Sequence, residues 1–158
     1  MSGSIHFFAE GTSMPTFKKK VARNWILNVI VSEQKKLGEL NYIFVSDENL
    51  LETNKKYLDH DELTDVITFD NSEEAETIEG DIYISADRVK ENARTFSSTF
   101  HVELHRVMIH GALHLCGFKD KTEKQSKEMR TKENEALRKL KEIQMELNVP
   151  RETAIGNV

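Results

Sequence analysis

The segment from about Val102 to Cys116 constrains the fold more than any other part of the chain. At about 100° per residue, its apolar side chains spread round nearly the whole circumference of a helix. These side chains are Leu104, Met108, Ile109, Leu113, Leu115 and Cys116. A helix that is apolar on most faces has to be buried. Because only 38% of the residues are hydrophobic and 31% are charged, this segment predicts one central helix with the other elements packed around it.

Four short apolar runs bounded by polar or turn-forming residues predict β-strands over 4–10, 42–45, 65–69 and 81–85. Apolar residues at helical spacing predict a helix that starts near Thr12 and ends at Gly38, and short helices capped by Ser46 and Ser85. A long, charged helix is predicted over about 122–147, with one narrow apolar stripe formed by Met129, Leu137, Leu140, Ile143 and Leu147. We therefore expect an α+β fold, in which a small mixed β-sheet of about four strands packs with several helices around the central one.

Domain organisation and location follow from length and composition. The 158 residues fit one domain, 1–158, with a loose tail after Pro150. The first ten residues lack a secretory signal, and no apolar run reaches the roughly 18 residues that span a bilayer. The single cysteine, Cys116, cannot form an internal disulfide, which fits a reducing compartment. We expect a cytoplasmic protein that has no membrane partner.

The chain is acidic overall, but its charges are unevenly distributed along the sequence. The net charge is −5 and the isoelectric point about 5.7, which argues against a dedicated nucleic-acid binder. However, four glutamates lie in one acidic stretch, 71–80, which is predicted to be a solvated loop or hairpin connection. Between Gly117 and Lys132, six basic residues face three acidic ones, 6 − 3 = +3. This local excess predicts a basic rim with modest, salt-sensitive affinity for RNA.

The most informative motif lies at the end of the predicted central helix. His110 and His114 are four residues apart, so both imidazoles leave one helix face about one turn apart. Gly117 permits a sharp reversal, which can return Asp120 over the same face as a third ligand. Two imidazoles and one carboxylate leave a zinc-like ion one open position for water, as in catalytic sites. We therefore predict a divalent metal site at His110, His114 and Asp120.

Other histidines and other functions also have to be considered for this part of the chain. His101 and His105 have the same spacing but point to about the opposite face, with no glycine turn or third ligand, so we expect them to be structural. The spacing also matches metzincin peptidases, which carry a glutamate directly after the first histidine as general base. Here that position is Gly111, which cannot move a proton. Glu103, two turns before His110, could orient a ligand or accept a proton, although a solvated glutamate is the commoner outcome.

Two further motifs precede the histidine segment 110–120: Asn54 and Tyr57 followed by 64–69 (TDVITF), and then 80–85 (GDIYIS). Together the three motifs resemble the YbeY family of bacterial rRNA maturation factors, which are metal-dependent endoribonucleases. The segment 110–120 resembles the family pattern H-G-x-L-H-L-x-G-[YF]-D-H, and the other two motifs resemble a second and a third family signature. The motifs occur in the family's order and cover about residues 45–120.

The chain departs from the family pattern at three positions. Asp120 stands where the family has its last histidine ligand, and Lys119 where it has an aspartate. Leu58 stands where the family usually has an arginine. A carboxylate is a competent zinc ligand, so the resemblance still implies His110, His114 and Asp120 as metal ligands and, through the metal, as the catalytic residues.

The missing arginine leaves the phosphate contact to other basic residues. We expect the RNA phosphate to be bound by residues among Lys119, Lys121, Arg106 and Lys55. The expected cofactor is one divalent metal per chain, with Zn²⁺ favoured and Ni²⁺, Co²⁺ or Mn²⁺ compatible with the same ligands.

The resemblance implies a single-strand-specific endoribonuclease that acts in 16S rRNA 3′-end maturation and ribosome quality control. Its expected partners are rRNA and the small ribosomal subunit together with assembly proteins of that subunit, with no DNA. Two alternatives remain open from the sequence. One is a ribosome-assembly factor with a structural metal and little nuclease activity; the other is a zinc peptidase.

Overall fold

The structure is a computed structural model that describes residues 3–58 and 64–148. Within those ranges the chain forms four strands and five helices. In chain order they are β1 (Ser4–Glu10), α1 (Lys19–Ser32), β2 (Lys36–Val45), α2 (Asp47–Leu58), β3 (Val66–Asp70), β4 (Thr77–Ser85), α3 (Ala86–Thr95), α4 (Phe100–Leu115) and α5 (Glu123–Asn148).

The strands form one sheet in the order β1-β2-β4-β3. β1 pairs with β2 and β2 with β4 in parallel, whereas β3 is antiparallel to β4. The predicted fold, a small mixed sheet of four strands with several helices, is confirmed. None of the helices in the described ranges is both long and apolar enough to cross a bilayer. The tail after Pro150 lies outside the described residues, and the single domain over 1–158 stays a prediction.

Helix α4 is the central helix that the sequence predicted. Nine of its sixteen residues are buried. Gly111 lies against the sheet, where an added Cβ would come within 2.8 Å of Ile82 Cγ2. The Tyr42 hydroxyl on β2 donates a 2.9 Å hydrogen bond to the carbonyl of Met108. These contacts fix α4, and with it the histidine-bearing face, relative to the sheet.

Helix α5 lies along the outer side of α4 and contacts α1 as well. Its buried residues are Met129, Glu133, Ala136 and Leu140, a stripe at helical spacing that includes one acidic side chain. The Trp25 indole on α1 donates a 2.7 Å hydrogen bond to the carbonyl of Ala136. The predicted helix over 122–147 is thus confirmed. Leu147, which we expected on the apolar stripe, is 65% exposed.

The helix caps were predicted correctly at two serines, but the first helix was not. Ser46 and Ser85 each accept a backbone hydrogen bond at the start of α2 and α3. The helix predicted near Thr12 begins only at Lys19, because Phe17 turns into the core and packs edge-on against Phe7. Gly38 does not end a helix; it lies within β2, beside a register shift in the pairing with β4.

The strand bounds were also too short for β2 and β4. Both strands extend because Lys36 pairs with Thr77 across the sheet, which adds residues that have no apolar pattern of their own. Part of the acidic stretch 71–80, predicted as a loop, therefore belongs to β4.

Candidate metal centre

The two histidines of the predicted site lie on the last two turns of α4, and the reversal after the helix brings Asp120 back to them. Gly117 has φ +111°, a left-handed conformation that favours glycine. The backbone N–H groups of Gly117 and Phe118 bond to the carbonyls of His114 and Leu113 and close the helix end. The following loop places the Asp120 carboxylate over the imidazole rings.

The three side chains present ligand atoms at metal-binding distances. Asp120 Oδ2 lies 3.3 Å from His110 Nε2 and 3.3 Å from His114 Nε2. All three ligand atoms lie within 4.8 Å of one another. Metal–ligand bonds of about 2.0–2.1 Å at a tetrahedral angle separate neighbouring ligand atoms by roughly 3.3 Å. The distances from Asp120 therefore fit a small divalent ion, and the group could hold one.

Glu133 on α5 fixes the orientation of His110. Its Oε2 lies 2.6 Å from His110 Nδ1, so the ring donates from Nδ1 and turns Nε2 toward Asp120. Its Oε1 accepts a 2.9 Å hydrogen bond from the Arg106 guanidinium, which also donates to Asn134 Oδ1 at 3.0 Å. Metal-binding histidines generally donate their second N–H to such a carboxylate. The Glu133 side chain is only 6% exposed, so this bond lies out of bulk water.

The charges around the site reinforce this pairing. Burial lowers the pKa of His110, but the hydrogen bond and the negative charge of Glu133 outweigh burial and raise it above its usual value. Burial raises the pKa of Glu133, yet its hydrogen bonds from His110 and Arg106 prevail and hold it below the usual range. Glu133 is therefore ionised at neutral pH and favours the Nδ1–H form of His110.

A cavity of about 200 Å³ opens beside the metal ligands. It runs between α4, α5 and the start of β3, and both His110 and Asp120 line it. Its other charged residues are Asp65, Glu103, Arg106, Arg130 and Glu133. Burial raises the pKa of both Asp65 and Glu103. A ligand bound at the metal centre thus has a polar cavity next to it.

Known proteins resemble this chain over most of its length. The family model described as Endoribonuclease YbeY matches residues 8–141. The chain belongs to the YbeY family. A Porphyromonas gingivalis protein named Endoribonuclease YbeY is 48% identical over 138 residues, covering 87% of this chain and 91% of that protein. A protein of the same name from Cytophaga hutchinsonii is 52% identical over 134 residues, covering 85% and 94%.

A solved structure supports the same fold. The solution structure of a Thermotoga maritima protein is 32% identical to this chain, with a TM-score of 0.62 and 91% of each chain covered. The overall fold is thus shared over nearly the whole length of this YbeY-family chain.

The four basic residues predicted to bind phosphate lie in different places. Arg106 lines the cavity, but its guanidinium is already bonded to Glu133 and Asn134. Lys119 and Lys121 are exposed on either side of Asp120. Lys55 is exposed on α2 and lines another cavity, which shares no lining residue with the metal centre. The side chain of Leu58, at the position of the usual YbeY arginine, lies outside the described residues.

The site also includes residues that the motif did not reveal. Arg130 on α5 lines the cavity, pairs with Glu133 only at 3.7 Å and has a 62% exposed side chain, so it is freer to meet a ligand than Arg106, the other arginine of the cavity. Glu133 was missed, although an acidic residue among the apolar stripe positions of α5 signals a buried partner. Lys132, predicted in the basic rim, donates a 2.9 Å hydrogen bond to Glu33, which directly follows the last residue of α1.

The control histidines behave as expected. The described residues show one group of three potential ligands, and neither His101 nor His105 belongs to it. His105 is 2% exposed and packs against Trp25, and burial lowers its pKa to about 4.

Proposed function

We propose that this protein is a metal-dependent endoribonuclease that cleaves single-stranded RNA. The observation that carries the proposal is the convergence of His110, His114 and Asp120 on one point at the mouth of a polar cavity. The two histidine side chains are 21% and 26% exposed and Asp120 is 40% exposed, so an RNA chain can reach them. Membership of a family named for endoribonuclease activity supports the same reaction.

Each residue of the site has a role in that reaction. His110, His114 and Asp120 hold the ion, for which we propose Zn²⁺ because two imidazoles and a carboxylate match its preferences. When bound, such an ion lowers the pKa of water and polarises a phosphoryl oxygen. Glu133 keeps His110 Nε2 directed at the ion. Arg130 meets the phosphate and stabilises its developing charge, since Arg106 is held by Glu133.

Two other functions fit the site less well. A structural metal site has four protein ligands and is closed, whereas here three ligands lie beside an open cavity. A peptidase of the metzincin type needs a base at position 111, and Gly111 is packed against Ile82. A glutamate there has no room, so the spacing that resembled a peptidase carries no peptidase chemistry.

We propose rRNA as the physiological substrate, with cleavage in 16S rRNA 3′-end maturation and in ribosome quality control, in the cytoplasm. The exposed lysines Lys119 and Lys121 beside Asp120 support binding of a phosphate backbone, while the net charge of −5 predicts weak affinity for RNA alone. Most of the specificity then comes from contacts with the small ribosomal subunit.

The proposal is tested by cleavage of matched RNAs. Zinc-loaded protein should cleave a short single-stranded RNA and leave its duplex with the complementary strand intact. His114→Ala should lose both bound zinc and RNA cleavage, because the two ligands that remain, His110 and Asp120, are too few to hold the ion. His101→Ala, an exposed histidine on the same helix, is the matched control and should retain both.

Two outcomes would refute the proposal. Cleavage by zinc-free His114→Ala at the wild-type rate would remove the metal from the mechanism. Zinc binding without any RNA cleavage would leave the assembly-factor alternative, in which the ion is structural.

A further inference from the structure

Glu103 is a buried carboxylate without a partner. It lies two turns before His110 on α4 and is 8% exposed. Its side chain makes no hydrogen bond or ion pair with the residues that the structure describes. Over the same residues, no fully buried polar side-chain atom lacks a partner. The oxygens of Glu103 are therefore reached by solvent, and the cavity beside the metal centre is the space that Glu103 lines.

The other carboxylates of this cavity are occupied. Asp65 accepts a 3.2 Å hydrogen bond from the Asn92 amide. Glu133 is bonded to His110 and Arg106, and Asp120 to the histidines. Glu103 is thus the carboxylate that remains for a ligand among the described cavity residues.

The walls around Glu103 suit a flat ring. Val66, Val107 and Met129 line the cavity with apolar surface. Phe96 also lines it and is 67% exposed, which offers an aromatic face at the rim. Nucleobases of single-stranded RNA are commonly bound by stacking on an aromatic ring and by hydrogen bonds to their Watson–Crick edge. A buried acceptor in the same cavity as these apolar side chains and the Phe96 ring provides both elements.

We propose that the cavity is a guanine pocket for the nucleotide next to the cleaved phosphodiester, an inference that rests on the proposed endoribonuclease function. Guanine presents two parallel donors, N1–H and the 2-amino group, which match the two oxygens of Glu103. Adenine, cytosine and uracil do not present such a pair. Glu103 lies seven residues from His110, about 10 Å along the helix axis. That is close to the span from a phosphate to the far edge of its base.

The experiment uses uridine-rich single-stranded RNAs that differ at one position, which holds guanosine, inosine or adenosine. Inosine lacks only the 2-amino group. Because a hydrogen bond to a charged group contributes about 1.5–3 kcal/mol, zinc-loaded protein should cleave beside guanosine about 10–100-fold faster than beside inosine or adenosine. Glu103→Gln, of the same size, should reduce that ratio to within about threefold, while Glu135→Gln, exposed on α5, should keep it.

Equal rates on all three RNAs, or an unchanged ratio in Glu103→Gln, would overturn the pocket and leave the endoribonuclease proposal standing. If no RNA is cleaved, the proposed function fails, and the guanine pocket is then tested separately by nucleotide binding. Calorimetry should then show tighter binding of guanosine monophosphate than of adenosine monophosphate to the zinc-loaded wild type and not to Glu103→Gln. Equal affinities, or a second metal equivalent lost in Glu103→Gln, would overturn the inference.

Discussion

Replacement of Glu133 by glutamine tests how much the second layer of the site contributes to metal binding. The carboxylate accepts from His110 Nδ1 at 2.6 Å and from Arg106 at 2.9 Å. Glutamine has the same size, but its single amide oxygen can satisfy only one of these donors, and its NH₂ group then faces the other. The histidine loses the negative charge that favours its Nδ1–H form.

The expected effect on metal affinity is large. Loss of such a partner typically weakens metal binding about 10–100-fold, equivalent to about 1.4–2.7 kcal/mol. Loss of one hydrogen bond to the ionised carboxylate should also lower the free energy of unfolding by about 1.5–3 kcal/mol. Both effects arise at a side chain that is 6% exposed, so salt should screen them little.

Competition for zinc with a chromophoric chelator measures the affinity, and ring nitrogen chemical shifts of His110 report its tautomer. Glu135→Gln, two residues along α5 and exposed, is the control and should bind zinc as the wild type does. The reasoning is refuted if Glu133→Gln binds zinc within about twofold of the wild type and keeps the Nδ1–H tautomer, against the expected 10–100-fold loss.

Three further predictions follow from the geometry. Asp120→His should retain one zinc per chain because imidazole is an equally good ligand, whereas Asp120→Ala should lose the ion; retention in both, measured by metal analysis after dialysis, would exclude Asp120 as a ligand. Gly111→Ala should lower the free energy of unfolding by about 1–3 kcal/mol, because the added Cβ would lie 2.8 Å from Ile82 Cγ2. The higher helix propensity of alanine offsets up to about 1 kcal/mol of this loss. Urea unfolding that shows no loss of stability would contradict this packing. His105 should stay neutral in NMR titration until pH about 4, because burial lowers its pKa. The unfolded chain takes up that proton near pH 6.5, so acidification from 6.5 to 4 should cost about 3 kcal/mol of stability; protonation of folded His105 near 6.5 would refute the prediction.

The sequence predicted the parts of the fold that depend on local pattern. Helix α4 carries its apolar residues on most faces, and Gly117 follows where a left-handed residue must end the helix. The caps at Ser46 and Ser85 are likewise local. The extension of β2 to Lys36 could not be predicted because it depends on pairing with Thr77, 41 residues away along the chain.

The candidate site also combines residues that local sequence brings together with a residue that only the packing of two helices brings close. His110, His114 and Asp120 lie within eleven residues, so helix periodicity and one glycine turn were enough to bring them together. Glu133 comes from another helix, and its contact with His110 depends on how α5 packs on α4. Periodicity marks Glu133 as an acidic residue on a buried stripe, but it does not identify the partner.

The most direct test of the account is a titration of zinc into metal-free protein, with bound metal and cleavage of single-stranded RNA measured on the same samples. Cleavage should be absent without metal, rise in proportion to occupancy and stop rising at one equivalent per chain, and His114→Ala should remain inactive throughout. Cleavage that is independent of occupancy, or a fully occupied protein that leaves the RNA intact, would contradict the claim that His110, His114 and Asp120 form the metal centre of an endoribonuclease.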